Sequence, residues 1–276
     1  MRSNRISRVF LYFRNDGRRV SEQTEIRDFI LGECEKSGIS VTEDVEEMTP
    51  ETLAVAVGGD GTFLSCAALA FARRIPIAGI NVGHLGFLAE INPDERELIS
   101  SVLRGDFGVR ERMMMDVSVF RSEAEIFRFT ALNEVTVHRD MRNPMLLLGI
   151  EYDSEEMPFW KGDGLIVATP TGSTAYNLSC NGPIIYPTDA AFVINAISPH
   201  ALTHRPIVVP AEGEIRVTAK ECVKGVLTCD GNSTIEVFEN DVVVIRKNPV
   251  PLETVVNPKR NFFNILSERL HLGKRL

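Results

Sequence analysis

With 276 residues and a formal net charge of −8, the chain can hold two modest domains or one large one. It carries no basic field of the kind that marks nucleic-acid binders, and no apolar run approaches a membrane span. Its five cysteines (Cys34, Cys66, Cys180, Cys222 and Cys229) are odd in number and lack zinc-site or thioredoxin spacing. They read as buried reduced thiols in a cytoplasmic protein.

The opening segment is basic, then briefly apolar, and has no small-residue cleavage site, so Val9–Phe13 reads as a first strand rather than part of a signal peptide. Glu22–Lys36 is an amphipathic helix closing near Gly38, and Ile39–Val41 a short strand. Leu53–Val57 is apolar and β-branched, a strand buried on both faces, and Phe63–Ala72 is a good helix former. Ile75–Val82 reads as the next strand and Asp94–Leu103 as a helix with Pro93 at its start. This alternation predicts a parallel sheet covered by helices.

From Gly105–Arg112 onward, strand-like runs follow one another without long helices. They are Met115–Arg121, Phe127–His138, Met145–Tyr152, Gly164–Ala168, Ile207–Val209, Glu214–Ala219, Gly225–Cys229, Thr234–Val237 and Asp241–Arg246. Their spacing predicts an antiparallel, sandwich-like sheet region. A polar strip, Asn177–Asn181, and a helix over Ala190–Ala196 are expected to interrupt it. Asn261–His271 has apolar residues at helical spacing.

Gly58-Gly59-Asp60-Gly61-Thr62 stands between a buried strand and a helix. In open α/β sheets that is where ligands bind, and where backbone N–H groups and the helix dipole attract phosphate. A bare carboxylate would repel phosphate, so Asp60 either holds a metal or takes a proton from a hydroxyl. Gly83–Leu88 follows the next strand, and His84 reads equally as a phosphate contact or as a structural hydrogen bond to a turn.

A second cluster runs from Gly162-Asp163-Gly164 through Thr169–Tyr176 to Asn177 and Ser179. Its hydroxyls and amides suit ribose hydroxyls, an amide or an adenine edge. Asn133-Glu134 lies inside a strand-like run, where neighbours face opposite sides, so at least one of the two is exposed or lines a site. His200 and His204 are four apart, but Pro199 and Pro206 oppose a helix there and no third ligand is evident. A P-loop, a Gly-x-Gly-x-x-Gly fingerprint, a protein-kinase motif set and a Gly-x-Ser-x-Gly elbow are all absent.

Gly58–Thr62, Gly83–Leu88, Asn133-Glu134, Asp163–Ser179 and, more weakly, Cys229-Asp230-Gly231-Asn232 together resemble the NAD kinase family, in its order and over most of the chain. The glycine–aspartate run alone is shared with lipid kinases and phosphofructokinases; the Asp163–Ser179 stretch is more specific. The resemblance implies an α/β Rossmann-like domain over residues 1–105 and a β-rich NAD-binding domain over 106–250. A C-terminal segment, 251–276, would pack back on the first domain. It implies transfer of a phosphoryl group from ATP, or polyphosphate, to the 2′-hydroxyl of the adenosine ribose of NAD.

In that resemblance Asp60 is the proton acceptor. Gly61, Asn133, Glu134, Lys161, Asp163, Thr174, Ala175, Tyr176, Asn177, Leu178, Ser179 and Asn232 contact NAD. Gly58, Gly59, Thr62 and His84 form the phosphate-donor region, with Mg2+ as the expected metal, its ligands unassigned. A homo-oligomer, dimer or tetramer, is implied, with a neighbouring subunit completing the site, and neither nucleic acid nor membrane as a partner. Two rival readings are a diacylglycerol- or sphingoid-type lipid kinase, which needs an apolar groove, and a non-catalytic nucleotide-binding regulator.

Overall fold

The computed structural model describes residues 5–13, 20–83, 86–140 and 142–272. The chain divides into two compact units, Met1–Glu111 with Leu252–Leu276, and Arg112–Pro251. It starts with β1 (Arg8–Phe13), α1 (Val20–Ser37), β2 (Ser40–Thr42) and β3 (Thr52–Val57). Next come α2 (Asp60–Arg73), β4 (Ile77–Ile80), α3 (Arg96–Leu103) and β5 (Val109–Arg112). The second unit begins with β6 (Met115–Arg121), β7 (Ala124–Ala131), β8 (Glu134–Arg139), β9 (Leu146–Tyr152) and β10 (Glu155–Glu156). β11 (Trp160–Ala168), α4 (Tyr176–Ser179), β12 (Ala191–Pro199) and β13 (Ile207–Pro210) follow. β14 (Ile215–Glu221), β15 (Gly225–Cys229), β16 (Ser233–Val237) and β17 (Val242–Lys247) complete it. β18 (Leu252–Val255) and α5 (Phe262–Leu270) return to the first unit.

The first unit is α/β. Its sheet has the order β2-β1-β3-β4-β18-β5, and β1, β2, β3, β4 and β18 pair in parallel. All six residues of β3 are buried, which is why it reads as a continuous apolar run rather than an alternating one. Its core joins β1, β3 and β4 to Ile26, Ile30 and Cys34 of α1 and Ile99, Val102 and Leu103 of α3. Each such buried aliphatic contributes roughly 1.5–3 kcal/mol of transfer free energy. The C-terminal segment is fixed to this unit by Asn257, whose Nδ2 donates to the Glu90 carbonyl at 3.2 Å and to the Glu95 carboxylate at 3.0 Å.

The second unit is β-rich and antiparallel, its described residues forming twelve strands in one hydrogen-bonded sheet. Alternate residues of β6, β8, β9, β11, β12, β14, β15 and β17 enter a single core around Trp160, Phe192 and Leu227. β11 branches the sheet: Trp160–Gly162 pairs with β9, while Gly164–Ala168 pairs with β8 on one side and β12 on the other. Ile166, Ala168, Val193 and Ile197 point away from that core and pack against Cys180 and Ile185.

Three local expectations need correction. Residues 190–196 are not a helix; 191–196 open β12. Phe192, Ile194 and Ala196 enter one core while Val193 and Ile197 enter the other, so the strand is apolar on both faces and shows no alternation. Phe127–His138 is two strands, β7 and β8, broken at Leu132-Asn133. The helix after the glycine turn begins at Asp60 itself, with Gly59 at its N-cap. The five cysteines are free thiols, Cys180 partly exposed and the others buried. No helix among the described residues is long and apolar enough to cross a membrane.

Candidate active site

In the first unit the turn lies where the parallel sheet opens. The Gly58 amide continues the ladder by donating to the Ile80 carbonyl at 2.9 Å, and α2 starts two residues later. Gly59 has no side chain to cap the helix; the Thr62 and Phe63 amides donate to its carbonyl at 3.0 Å, which leaves the Asp60 and Gly61 N–H groups to carry the positive end of the dipole. Gly59 and Gly61 are exposed, Asp60 is half-buried, and Thr62 is buried with its side chain against Gly58.

Asp60 is not the bare carboxylate the sequence implies. Its Oδ2 accepts from the Phe87 amide at 2.8 Å, and its Oδ1 from Leu88 at 3.0 Å and Ala89 at 3.3 Å. With two lone pairs per oxygen, one acceptor place remains, on Oδ2. Gly86 is required here because a Cβ at that position would lie 1.9 Å from Oδ1. The loop after β4 therefore aims the carboxylate. Asn81, just after β4, is fully enclosed, and neither its Nδ2 nor its Oδ1 has a partner among the described residues. A buried unsatisfied amide is unusual enough to mark it as a candidate that sequence reading missed. His84 lies outside the described residues.

In the second unit the Leu132–Glu134 turn is tied from both sides. Asp230 accepts from the Leu132, Asn133 and Glu134 amides at 2.7, 2.8 and 3.2 Å. Thr169 takes the carbonyls: its N–H donates to Asn133 at 2.8 Å and its hydroxyl to Leu132 at 2.5 Å. These bonds remove the turn from the β ladder and break the run that sequence reading joins. The Asn133 Oδ1 and Glu134 Oε2 atoms are buried without partners among the described residues.

Glu134, Thr136 and His138 lie at alternate positions of β8. With Tyr176, Thr228 and Gly231 they line a pocket of about 220 Å³. His138 stacks on Tyr176 with ring centroids 5.7 Å apart. Loss of water pushes the Glu134 carboxyl up to about 8, helped by the Asp230 charge; a hydrogen bond from the Tyr176 amide opposes this. Burial lowers the His138 imidazole below its ordinary range, with Asp163 pulling it back.

The other expected residues take distinct places. Asp163 accepts from Arg139 Nε at 2.6 Å and stays partly exposed on β11. Lys161 and Asn232 are exposed, the latter at the β15–β16 turn. Thr174 ends a short 3₁₀ turn, and Ala175 leads into α4, where Tyr176 and Ser179 are exposed and Leu178 half-buried. Asn177 is enclosed: its Nδ2 donates to the Ser173 and Pro183 carbonyls at 3.1 Å, and its Oδ1 accepts from Asn195 Nδ2 at 3.1 Å. It shapes the loop from within. Thr136, His138 and Thr228 escaped the sequence reading, although polar residues at every second place of Glu134–His138 were the available signal.

Among the described residues no three His, Cys, Asp or Glu side chains cluster to hold a metal, and Asp60 has most of its acceptor capacity in use. The described side chains do not fit a protein-built divalent site.

An anion-attracting turn that presents a carboxylate in an α/β unit, in one chain with a β-rich unit that has a polar, aromatic-walled pocket, is the make-up of a nucleotide phosphotransferase. Residues 10–107 match the model of the ATP-NAD kinase N-terminal domain, and residues 132–256 that of the ATP-NAD kinase C-terminal domain. The NAD kinase of Geobacter sulfurreducens is 40% identical over 237 residues, 85% of this chain and 83% of the relative. That of Magnetococcus marinus is 37% identical over 238 residues, 85% of this chain and 78% of the relative. The chain belongs to the NAD kinase family. Among solved structures, an Archaeoglobus fulgidus NAD kinase in complex with ATP superposes with a TM-score of 0.75 at 28% identity, over 96% of this chain and 100% of that one. Yeast NADH kinase complexed with NADH shares the fold with a TM-score of 0.87 at 21% identity, over 99% and 90% of the two chains.

Proposed function

We propose that this protein is an NAD kinase that transfers the γ-phosphoryl group of ATP to the 2′-hydroxyl of the adenosine ribose of NAD. The observation that carries the reading is the Asp60 carboxylate, held by three amides at the first turn of α2 with one acceptor place left. Asp60 accepts the 2′-hydroxyl proton as O2′ bonds to the γ-phosphorus. The bond from that phosphorus to the β,γ-bridging oxygen breaks, and ADP leaves with the electron pair. A loose transition state of this kind asks for alignment and charge neutralisation more than for a strong nucleophile. The amides of Gly59 and Gly61 supply part of that neutralisation, while Gly58, its own amide held by Ile80, lets the chain turn there with Thr62 behind it. Magnesium arrives with the ATP phosphates as part of the substrate.

Gly61, Asn133, Glu134, Asp163 and the Thr174–Ser179 segment orient NAD, with Lys161 and Asn232 at the margin. Tyr176 and His138 offer flat surfaces for a base. The polar lining of the Glu134 pocket favours a dinucleotide over a lipid acyl chain. The working form is a cytoplasmic homo-oligomer, dimer or tetramer. Incubating the pure protein with NAD, ATP and magnesium should yield NADP. Parallel reactions with NADH and with polyphosphate set acceptor and donor preference. Absence of NADP in every combination removes this reading.

A further inference from the structure

We propose that Asp230 is a positioning residue that sets the geometry of the Asn133-Glu134 pair toward NAD. The inference rests on the reading of that pair as NAD contacts. Asp230 sits in a tight turn between β15 and β16, with φ of 48° at Asp230 and 69° at Gly231, closed by the Asn232 amide donating to the Cys229 carbonyl at 3.0 Å. Positive φ at both central positions is the type I′ geometry, which asparagine, aspartate and glycine accept most readily.

From this turn the carboxylate accepts three consecutive amides, those of Leu132, Asn133 and Glu134. The Asp230 amide in turn donates to the Glu134 carbonyl at 3.0 Å. One side chain thus fixes the backbone of two residues whose own side chains end in buried atoms without a partner among the described residues, Asn133 Oδ1 and Glu134 Oε2. A hairpin cap needs none of these bonds, since the turn closes without the carboxylate. The carboxylate reaches about a hundred residues back in sequence, to the one place where the strand run is broken.

Burial keeps the Glu134 acid protonated above its ordinary range, and the Asp230 charge adds to that. The groups facing Glu134 are Asp230 from the hairpin, Tyr176 and Cys180 from the α4 segment, and His138 on its own strand; Asp163 on β11 acts on His138 and Tyr176 instead. Asp230 is the charge that acts on Glu134 directly, and it holds the acid protonated to higher pH.

The test uses the full-length protein with Asp230→Ala and Asp230→Asn. Steady-state kinetics with NAD and ATP, NAD titration calorimetry across pH, and thermal melts are recorded for each. The alanine variant should raise KM for NAD by roughly tenfold or more, the equilibrium weight of one charge-assisted hydrogen bond, with KM for ATP unchanged. The asparagine variant keeps one acceptor oxygen and should fall between it and the parent. In both, the inflection in NAD binding assigned to Glu134 should move to lower pH. If alanine prevents folding, the asparagine variant carries the test alone. A parent protein that makes no NADP overturns the kinase reading. A parent that makes NADP while folded Asp230 variants keep their KM for NAD and their pH inflection overturns the role given to Asp230.

Discussion

The Asp60 carboxylate accepts the Phe87 amide at 2.8 Å, and Gly86, the residue before, has its α-carbon where a side chain would strike Asp60 Oδ1 at 1.9 Å. The glycine–aspartate turn and the loop after β4 are therefore one device: the loop aims the carboxylate that the turn presents. Gly86→Ala should push Asp60 off its amides and lower kcat by about 10²-fold, as small misplacements of a reacting group do. NAD affinity should stay near the parent value. Steady-state kinetics with calorimetry on the same preparation checks both parts.

Glu134 gives stability a pH signature. Its folded value is raised from the ordinary 4.5 to about 8, so between those values the folded state holds a proton that the unfolded chain has released. The contribution is complete below 4.5 and is lost as pH rises through about 8. Asp230 is raised as well, by burial, and acts in the same direction. Glu134→Gln, which cannot ionise, should flatten this fall. Urea midpoints measured from acid to mildly alkaline pH should decline less in the variant, and parallel curves would contradict the assignment.

Gly172 packs directly on the turn that carries Asn133. A Cβ there would lie 2.1 Å from the Asn133 carbonyl oxygen and 2.4 Å from its carbon, both backbone atoms with no rotamer to change. Gly172→Ala should destabilise the second unit by about 1–3 kcal/mol, the usual range for forced overpacking. It should also raise KM for NAD, because the carbonyl that must move belongs to a residue of the site. Urea unfolding followed by fluorescence of Trp160, which packs in that unit's core, gives the first number.

Much of the first unit was legible because local signals agree there. An apolar run, a glycine turn and a helix former follow one another, and β3 and α2 form where they stand. The site residues were legible as chemistry, but their supports were not. Asp60 looked bare because its donors come from residues 87–89, and sequence spacing does not say which amides a carboxylate meets. The break between β7 and β8 was hidden for the same reason, since Asp230 and Thr169 impose it from far along the chain. β12 was misread because burial on both faces erases the period that distinguishes a strand from a helix. Asn177 reads as a ligand residue in a polar strip, yet its hydrogen bonds go to Ser173, Pro183 and Asn195.

Asp60 is the group that takes the proton from the acceptor hydroxyl, and Asp60→Asn removes that capacity while keeping the side chain's shape. The measurement is the initial rate of NADP formation from NAD and ATP, with NAD affinity determined on the same samples. Loss of a general base should lower kcat by roughly 10²–10⁴-fold while leaving NAD affinity near that of the parent. A folded Asp60→Asn protein that forms NADP at the parental rate would contradict the account.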